Sequence, residues 1–271
     1  MRINLRAEAL RRRERRDFMK GKLDLYYNKY CTPEFIMSDP LQFSHRYKKR
    51  EDIEIAAFLA ATIAWGNRKM IINSCEKMFA LMGKSPYEFV MSGEYKKLKN
   101  KNIHRTFFES DLKYFCKGFA YCYGKYKNLE ILFNHRPDYL QVVRRGTERI
   151  WNGLAIFRDE MAKGNNGRYS KHISDPEKSA CKRLNLALRW LVRPKPVDLG
   201  LWKSIKPSEL YIPLDVHVAR TARELGLLTR KSNDKKAVIE LTEKLRSFCP
   251  EDPVKYDFAL FGYSLNNAVD R

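Results

Sequence analysis

The sequence predicts an all-α fold, and three observations carry that prediction. Apolar residues recur at helical spacing along most of the 271-residue chain, and no segment keeps the alternation of a β-strand. No internal repeat of roughly 20–50 residues is evident, which excludes solenoids and propellers. Hydrophobic residues make up 44% of the chain, so it is not a disordered protein, and it is long enough to fold around its own core.

A buried central helix is the clearest single element. From Glu51 onward, Ile55, Leu59 and Ile63 follow at helical spacing, and the segment is apolar almost all round. It should end near Gly66. Further helices are predicted over Lys69–Met82, Phe107–Tyr126, Glu177–Val192, Val216–Leu225, Asp234–Phe248 and Pro253–Gly262.

The charge balance predicts a polyanionic partner. Lys and Arg number 53 against 32 Asp and Glu, a formal net charge of +21. No apolar segment is long enough to span a membrane, and no basic helix shows an apolar Trp/Leu face, so nucleic acid is favoured over an anionic membrane. The Arg-rich segment 1–16 leads into no apolar region, which argues against a signal peptide. We interpret it as a basic N-terminal arm, either a solvated helix end or disordered.

The cysteines indicate an intracellular protein with reduced thiols. None of the six belongs to a CxxC pair, so neither a zinc module nor a disulfide framework is predicted. We expect a cytoplasmic protein, associated with the nucleoid if it is bacterial. The cysteines are Cys31, Cys75, Cys116, Cys122, Cys181 and Cys249.

A basic segment surrounds the predicted helix Glu177–Val192. Residues 168–206 contain ten Lys or Arg against three acidic residues, and Lys178, Lys182 and Arg189 fall on one helical face. An ordinary solvated face would look the same. The charge favours a surface that follows DNA phosphates, with Ser174 and the helix N-terminus as anion donors. Ser174 and Glu177 also fit a capping box at the start of this helix.

Asp215 stands where a helix should begin, directly after the apolar Ile212-Pro213-Leu214. It could be a plain N-cap that accepts hydrogen bonds from free backbone N–H groups. A carboxylate held there could equally assist a nearby amine or stabilise a developing cation. We interpret the neighbouring His217 as a packed, hydrogen-bonded side chain.

Two segments resemble the helix-hairpin-helix DNA glycosylase superfamily. LDVHVAR, residues 214–220, is similar to the V-D-T-H-[IV]-x-R segment that carries the catalytic aspartate there. IEIAAFLAATIAWGNRKMI, residues 53–71, resembles the long apolar helix that opens the superfamily core. CKRLNLALRW, residues 181–190, looks like the helix that begins with the catalytic lysine in archaeal 8-oxoguanine DNA glycosylases, with a similarly long gap to the aspartate. The whole chain also resembles a bacterial family known only as DUF2400.

The resemblance implies roles for six residues. Lys182 would be the nucleophile and Asp215 its carboxylate partner. The remaining four would form the pocket for a base turned out of the duplex: Trp65 and Leu186 against its faces, and Asp257 with Phe261 from the last helix. Ser174, Lys178, Arg183 and Arg189 would bind DNA.

Two family features are missing. The segment before Lys182 reads SDPEKSAC in place of the L-P-G-[VI]-G hairpin, which leaves the phosphate-binding amides unassigned. Cys249 stands alone where endonuclease III-like members carry four cysteines. We therefore expect no iron–sulfur cluster, no metal and no other cofactor.

The resemblance implies a two-lobed, helix-hairpin-helix glycosylase-like fold over residues 17–271. One lobe would combine 17–50 with 226–271, and the other would hold 51–225. The implied activity is that of a monomeric base-excision repair glycosylase on double-stranded DNA, with lyase activity at abasic (AP) sites, which removes an oxidised purine such as 8-oxoguanine. The alternative is a helical nucleic-acid-binding protein without catalysis.

Overall fold

The computed structural model describes residues 2–134 and 148–269 and is all-α apart from one small β-hairpin. The first helices are α1 (Arg2–Tyr30), α2 (Pro33–Ser38), α3 (Gln42–His45), α4 (Arg50–Thr62), α5 (Arg68–Met82), α6 (Pro86–Met91) and α7 (Glu109–Lys125). They are followed by α8 (Glu148–Lys163), α9 (Lys182–Val192), α10 (Val216–Glu224), α11 (Lys235–Arg246) and α12 (Tyr256–Val269). Short 3₁₀ turns occupy Glu94–Lys97, Leu129–Phe133, Pro207–Glu209 and Pro253–Lys255.

The predicted central helix is confirmed as α4. Almost every side chain from Asp52 to Thr62 is buried, and the helix packs against α3, α6 and α9. It ends four residues earlier than predicted, at Thr62, and the chain then turns until Gly66, whose φ of +97° suits glycine. This turn forms one edge of the site described below.

Of the segment predicted as a basic arm, 1–16, the described residues 2–16 continue into the following ones as one helix, α1, which packs along α12. Met1 lies outside the described residues. Gly262 allows this close approach, because a Cβ there would overlap the ring of Tyr30. That packing explains why α12 runs past Gly262, where the helix was predicted to end. The predictions for α5, α7, α10 and α11 are correct to within a few residues at each end. Helices α2, α3, α6 and α8 were not predicted from the sequence.

The predicted start of α9 at Glu177 is wrong, and so is the capping box of Ser174 with Glu177. The carboxylate of Asp175 accepts a hydrogen bond from the backbone N–H of Glu177 at 3.0 Å, and this Asx-type turn competes with a helix. Cys181 then takes a left-handed conformation with φ of 48°, and the helix begins at Lys182. Residues 174–181 form turns and irregular backbone instead.

A β-hairpin was not predicted. Strand β1 (Asn102–His104) pairs antiparallel with β2 (Phe107–Phe108), directly before α7. These strands are too short to show an alternating pattern. In α7, Phe115 and Phe119 are buried and belong to the hydrophobic core. Within the described ranges, no helix is both long and apolar enough to span a bilayer.

Candidate active site

A cleft of about 680 Å³ lies between the C-terminal end of α4, the N-termini of α9 and α10, and α12. All six residues that the resemblance assigned to catalysis and base binding line it: Trp65, Lys182, Leu186, Asp215, Asp257 and Phe261. They come from four separate parts of the chain. The structure therefore brings them together.

Lys182 is the first residue of α9, and its side chain is 26% exposed. The Nζ donates a hydrogen bond to the backbone carbonyl of Ala64 at 2.9 Å, in the turn after α4. It lies 3.7 Å from Oδ2 of Asp215. The amine therefore reaches the cleft from one wall with a carboxylate beside it.

Asp215 is the N-cap of α10, so the N-cap interpretation is confirmed. Its Oδ1 accepts hydrogen bonds from the backbone N–H groups of His217 at 2.9 Å and Val218 at 2.8 Å. Oδ2 is the oxygen nearer Lys182, and the side chain is 28% exposed. The two interpretations of this residue are compatible, since one oxygen caps the helix and the other faces the amine.

Trp65 is half-buried at the cleft edge. One face of the indole is covered by His172, whose ring lies 5.8 Å away at an interplanar angle of 22°. The guanidinium of Arg183 lies 5.2 Å from the indole, and His104 contacts it edge-on at 4.7 Å. Contacts on these sides hold the indole in place at the edge of the cleft.

Leu186 and Phe261 supply apolar surface from opposite helices. Leu186 follows Lys182 by one turn of α9, and Phe261 follows Asp257 by one turn of α12. The Phe261 ring packs edge-on against Phe35 at 6.0 Å and under the guanidinium of Arg68 at 4.8 Å. The wall formed by Phe35 and Arg68 was not predicted: Phe35 stands in no motif, and Arg68 was assigned no role within the segment 53–71.

The floor of the cleft is a buried ion cluster. Asp257 pairs directly with Arg189, whose guanidinium also lies 3.4 Å from Asp198. Arg193 binds Asp198 at 2.5 Å and Asp252 at 2.8 Å. Burial raises the pKa of Asp257 to about 6, although Arg189 counteracts part of that rise.

The prediction that Arg189 binds DNA from an exposed face is wrong. Arg189 is only 3% exposed and faces the acidic residues of the floor. The helical spacing correctly placed it on one face with Lys182, but that face packs inside the protein. The carboxylates that neutralise it, Asp198 and Asp257, are distant in sequence and therefore gave no signal.

The other three predicted DNA contacts lie outside the cleft lining. Ser174 is half-buried, and its carbonyl accepts a long contact from Sγ of Cys181. Lys178 is exposed and makes no ion pair within the described ranges. Arg183 is half-buried and donates to the carbonyl of Thr62 at 3.0 Å.

His217 was interpreted as a packed side chain, and this is wrong. It is exposed and lines the cleft beside Val216, which is also exposed. The first turn of a helix leaves its outer face open when no neighbour covers it. Asp39, paired with Arg68 at 3.3 Å, also lines the cleft and was missed by sequence reasoning. In the described part of the chain, no group of three or more His, Cys, Asp or Glu residues is placed to hold a metal ion.

A family model described as "Protein of unknown function (DUF2400)" matches residues 39–266. This range covers most of the chain and includes every residue of the cleft except Phe35. The chain therefore belongs to that family. No curated protein and no solved structure gave a match.

Proposed function

We propose that this member of the DUF2400 family is a DNA base-excision glycosylase with AP lyase activity, acting on an oxidised purine such as 8-oxoguanine. One observation carries the proposal: Lys182 Nζ lies 3.7 Å from the Asp215 carboxylate, in a cleft lined by apolar side chains and one buried acid. An amine beside a carboxylate is the pair that a Schiff-base mechanism at a sugar carbon requires.

The chemistry assigns a different task to each member of the pair. The neutral Lys182 amine would attack C1′ of the target nucleotide, and the bond between C1′ and the base would break with its electron pair leaving on the base. Asp215 would stabilise the positive charge that develops on the sugar and accept a hydrogen bond from the amine. The nitrogen would pass one proton to the departing base. Its lone pair would then expel O4′, which takes a proton from water, and the protonated Schiff base formed at C1′ would permit β-elimination and cleavage of the strand.

Lys182 must be free to approach the sugar, and its contacts set the condition for this. Its Nζ donates a hydrogen bond to the carbonyl of Ala64 and lies near the carboxylate of Asp215. The proposal therefore requires the substrate to displace the contact between Lys182 and Ala64.

The cleft suits a base that has been turned out of a duplex. Its volume lies within the range of roughly 300–1,000 Å³ that is usual for small-molecule sites. Leu186, Phe261 and Trp65 provide apolar contact, and Asp257 offers a carboxylate oxygen to an N–H donor on the base edge. 8-Oxoguanine carries such a donor at N7, where guanine has an acceptor.

The net charge of +21 supports double-stranded DNA as the partner, because phosphate contacts dominate affinity for nucleic acid. The two-lobed helix-hairpin-helix arrangement, the monomeric state and the division into lobes 17–50 plus 226–271 and 51–225 belong to the same proposal. The contact of α1 with α12 supports the pairing of the two chain ends in one lobe.

Borohydride trapping tests the proposal. Purified protein is incubated with duplexes that contain either 8-oxoguanine or a preformed abasic site, and borohydride reduces any Schiff base to a stable adduct. We expect an adduct with both duplexes, its loss in Lys182→Gln, and strong impairment in Asp215→Asn. Lys127→Gln is the matched control, because Lys127 is exposed, makes no ion pair in the described ranges and lies away from the cleft.

Two outcomes would contradict the proposal. An adduct that persists in Lys182→Gln would exclude this lysine as the nucleophile. Failure of the wild type on the abasic site and on a panel of damaged bases, with salt-sensitive DNA binding intact, would leave a nucleic-acid-binding protein without catalysis.

A further inference from the structure

The β-hairpin places an arginine beside the cleft, where the sequence indicated no functional element. Arg105 occupies the turn between β1 and β2 with a φ of 49°, which is uncommon for a residue with a side chain. Its guanidinium lies against Gly66: a Cβ built on that glycine would be 2.7 Å from Nη1 of Arg105. Gly66 lines the cleft next to Trp65, so the hairpin turn lies at the cleft edge.

Hydrogen bonds from the side chains of β1 hold the hairpin in position. His104 bonds to the carbonyl of Trp65 through Nε2 at 2.9 Å and to Ser74 through Nδ1 at 3.0 Å. Asn102 donates from its side chain to the carbonyl of Arg105 at 2.7 Å, across the turn. The backbone that carries Arg105 is therefore attached to both α5 and the turn after α4.

A second arginine lies against the same turn. Arg183 donates to the carbonyl of Thr62 and lies over the indole of Trp65. Neither Arg105 nor Arg183 makes an ion pair within the part of the chain that the structure describes. Asp111 is a carboxylate near this region: its Oδ1 lies 3.5 Å from Nε2 of His172, and its Oδ2 accepts a hydrogen bond from the backbone N–H of Phe108 at 2.8 Å.

The local electrostatics agree with an excess of positive charge. Burial lowers the pKa of His104 below its ordinary value, and the nearby Arg105 lowers it further. Burial also lowers the pKa of His172, with added contributions from Arg183 and Lys171 that oppose Asp111. Cations that converge on one edge without carboxylate partners form a site for an anion.

We propose that Arg105 and Arg183 form a phosphate-binding rim that holds the backbone of the strand carrying the target nucleotide. The inference rests on the proposed function, since it names the part of the DNA that this edge of the cleft contacts. Arg105 reaches the phosphate from the hairpin and Arg183 from the first turn of α9. Both arginines then act next to Lys182, because all three side chains contact residues 62–66.

Fluorescence anisotropy over a range of salt concentrations tests the rim. The probe is a labelled duplex with a tetrahydrofuran abasic analogue, which the protein binds without cleavage. The variant is Arg105→Gly, because glycine accepts the positive φ of this turn and the exposed side chain leaves no cavity. Lys127→Gly also removes one exposed charge, but at the far end of α7, about 25 Å along the helix from the hairpin.

We expect Arg105→Gly to bind the duplex about tenfold more weakly and to reduce the slope of log K against log[salt] by about 0.9. Arg105→Lys should recover the slope, and Lys127→Gly should change neither quantity. A neutral methylphosphonate placed at successive positions around the analogue should weaken wild-type binding at one or two of them. At those positions the methylphosphonate should not weaken the binding of the Arg105→Gly variant any further.

The outcomes separate this inference from the proposed function. If the wild type binds and forms the borohydride adduct while Arg105→Gly and Lys127→Gly behave alike, the rim is wrong and the glycosylase proposal stands. If Arg105→Gly loses affinity but every methylphosphonate weakens the variant as much as it weakens the wild type, Arg105 does not contact a phosphate and the rim is again wrong. If the wild type shows neither binding nor an adduct, both proposals fall.

Discussion

Two cation–carboxylate pairs lie in the same cleft and are built in opposite ways. Lys182 and Asp215 are 3.7 Å apart, each about a quarter exposed, and each has backbone hydrogen bonds of its own. Arg189 and Asp257 are in direct contact and buried, and Arg189 also neutralises Asp198. The first pair can separate without leaving either member unsatisfied, whereas the second cannot.

The difference matters under the proposed function. There the Lys182 amine must move toward a substrate, which a partly exposed pair permits at small cost. Separation of a buried pair would leave an uncompensated charge in the protein interior. The Arg189 cluster therefore holds Asp257 in a fixed position at the floor, and the Lys182 pair remains free to act.

The largest expected effect is a loss of folding stability when the buried ion cluster at the cleft floor is disrupted. Arg189→Met should lower the free energy of unfolding by about 3–5 kcal/mol, because it leaves buried carboxylates unpaired. Lys182→Gln should lower it by less than about 1 kcal/mol. Urea denaturation followed by circular dichroism measures both. Equal losses in the two variants would contradict the distinction between the pairs.

The next effect separates the two tasks of Asp215. Asp215→Asn keeps an N-cap side chain, so stability should change by only a few tenths of a kcal/mol, while Asp215→Ala should lose about 1 kcal/mol. The rate of borohydride trapping should fall about a hundredfold in both, since both remove the charge. A trapping rate that follows stability, with the Asn variant nearly normal, would show that Asp215 is only a cap.

The smallest expected effect is a pH dependence of 8-oxoguanine excision that comes from Asp257 at the cleft floor alone. Because the pKa of Asp257 is raised to about 6, its carboxylate is charged above that pH and becomes protonated below it. The ratio of 8-oxoguanine excision to abasic-site cleavage should therefore fall up to about tenfold between pH 7 and pH 5. Parallel single-turnover assays on the two duplexes give this ratio.

The control for the pH effect is Asp257→Asn, whose ratio should be low and flat over the same range. A wild-type ratio that is independent of pH would contradict a role for the charged carboxylate in base recognition. The sign for stability is opposite: the pKa in the fold exceeds the ordinary 3.8, so protonation of Asp257 stabilises the fold as the pH falls from about 6 to about 4.

Residue patterns predicted much of the framework. The apolar run at Ile55, Leu59 and Ile63 became the buried helix α4, because a helix without a polar face can only be interior. The segment around Asp215 was predicted to begin a helix, and Asp215 caps it. The six residues assigned by resemblance all line one cleft, although their catalytic and binding roles remain predictions.

Local competition and long-range neutralisation account for what the patterns missed. The start of α9 depended on a local competition: Ser174 could have capped a helix, but the side chain of Asp175 closes a turn instead. The position of Arg105 was evident only from the structure, because the pairing of two short strands, five residues in all, holds the turn that carries it. Neither outcome leaves a periodic signal.

What the sequence by itself determined is the all-α class, the interior helix, the excess of positive charge and the local cap at Asp215. These depend on residue composition and on neighbours within a few turns of helix. Only the tertiary structure decided that Lys182 faces Asp215, that Arg189 is buried against Asp257 and Asp198, and that Arg105 lies beside Trp65 and Gly66. Such outcomes depend on charges and surfaces that the fold brings together from distant segments. The sequence cannot distinguish an arginine or lysine that is stabilised by water from one that is stabilised by a buried carboxylate.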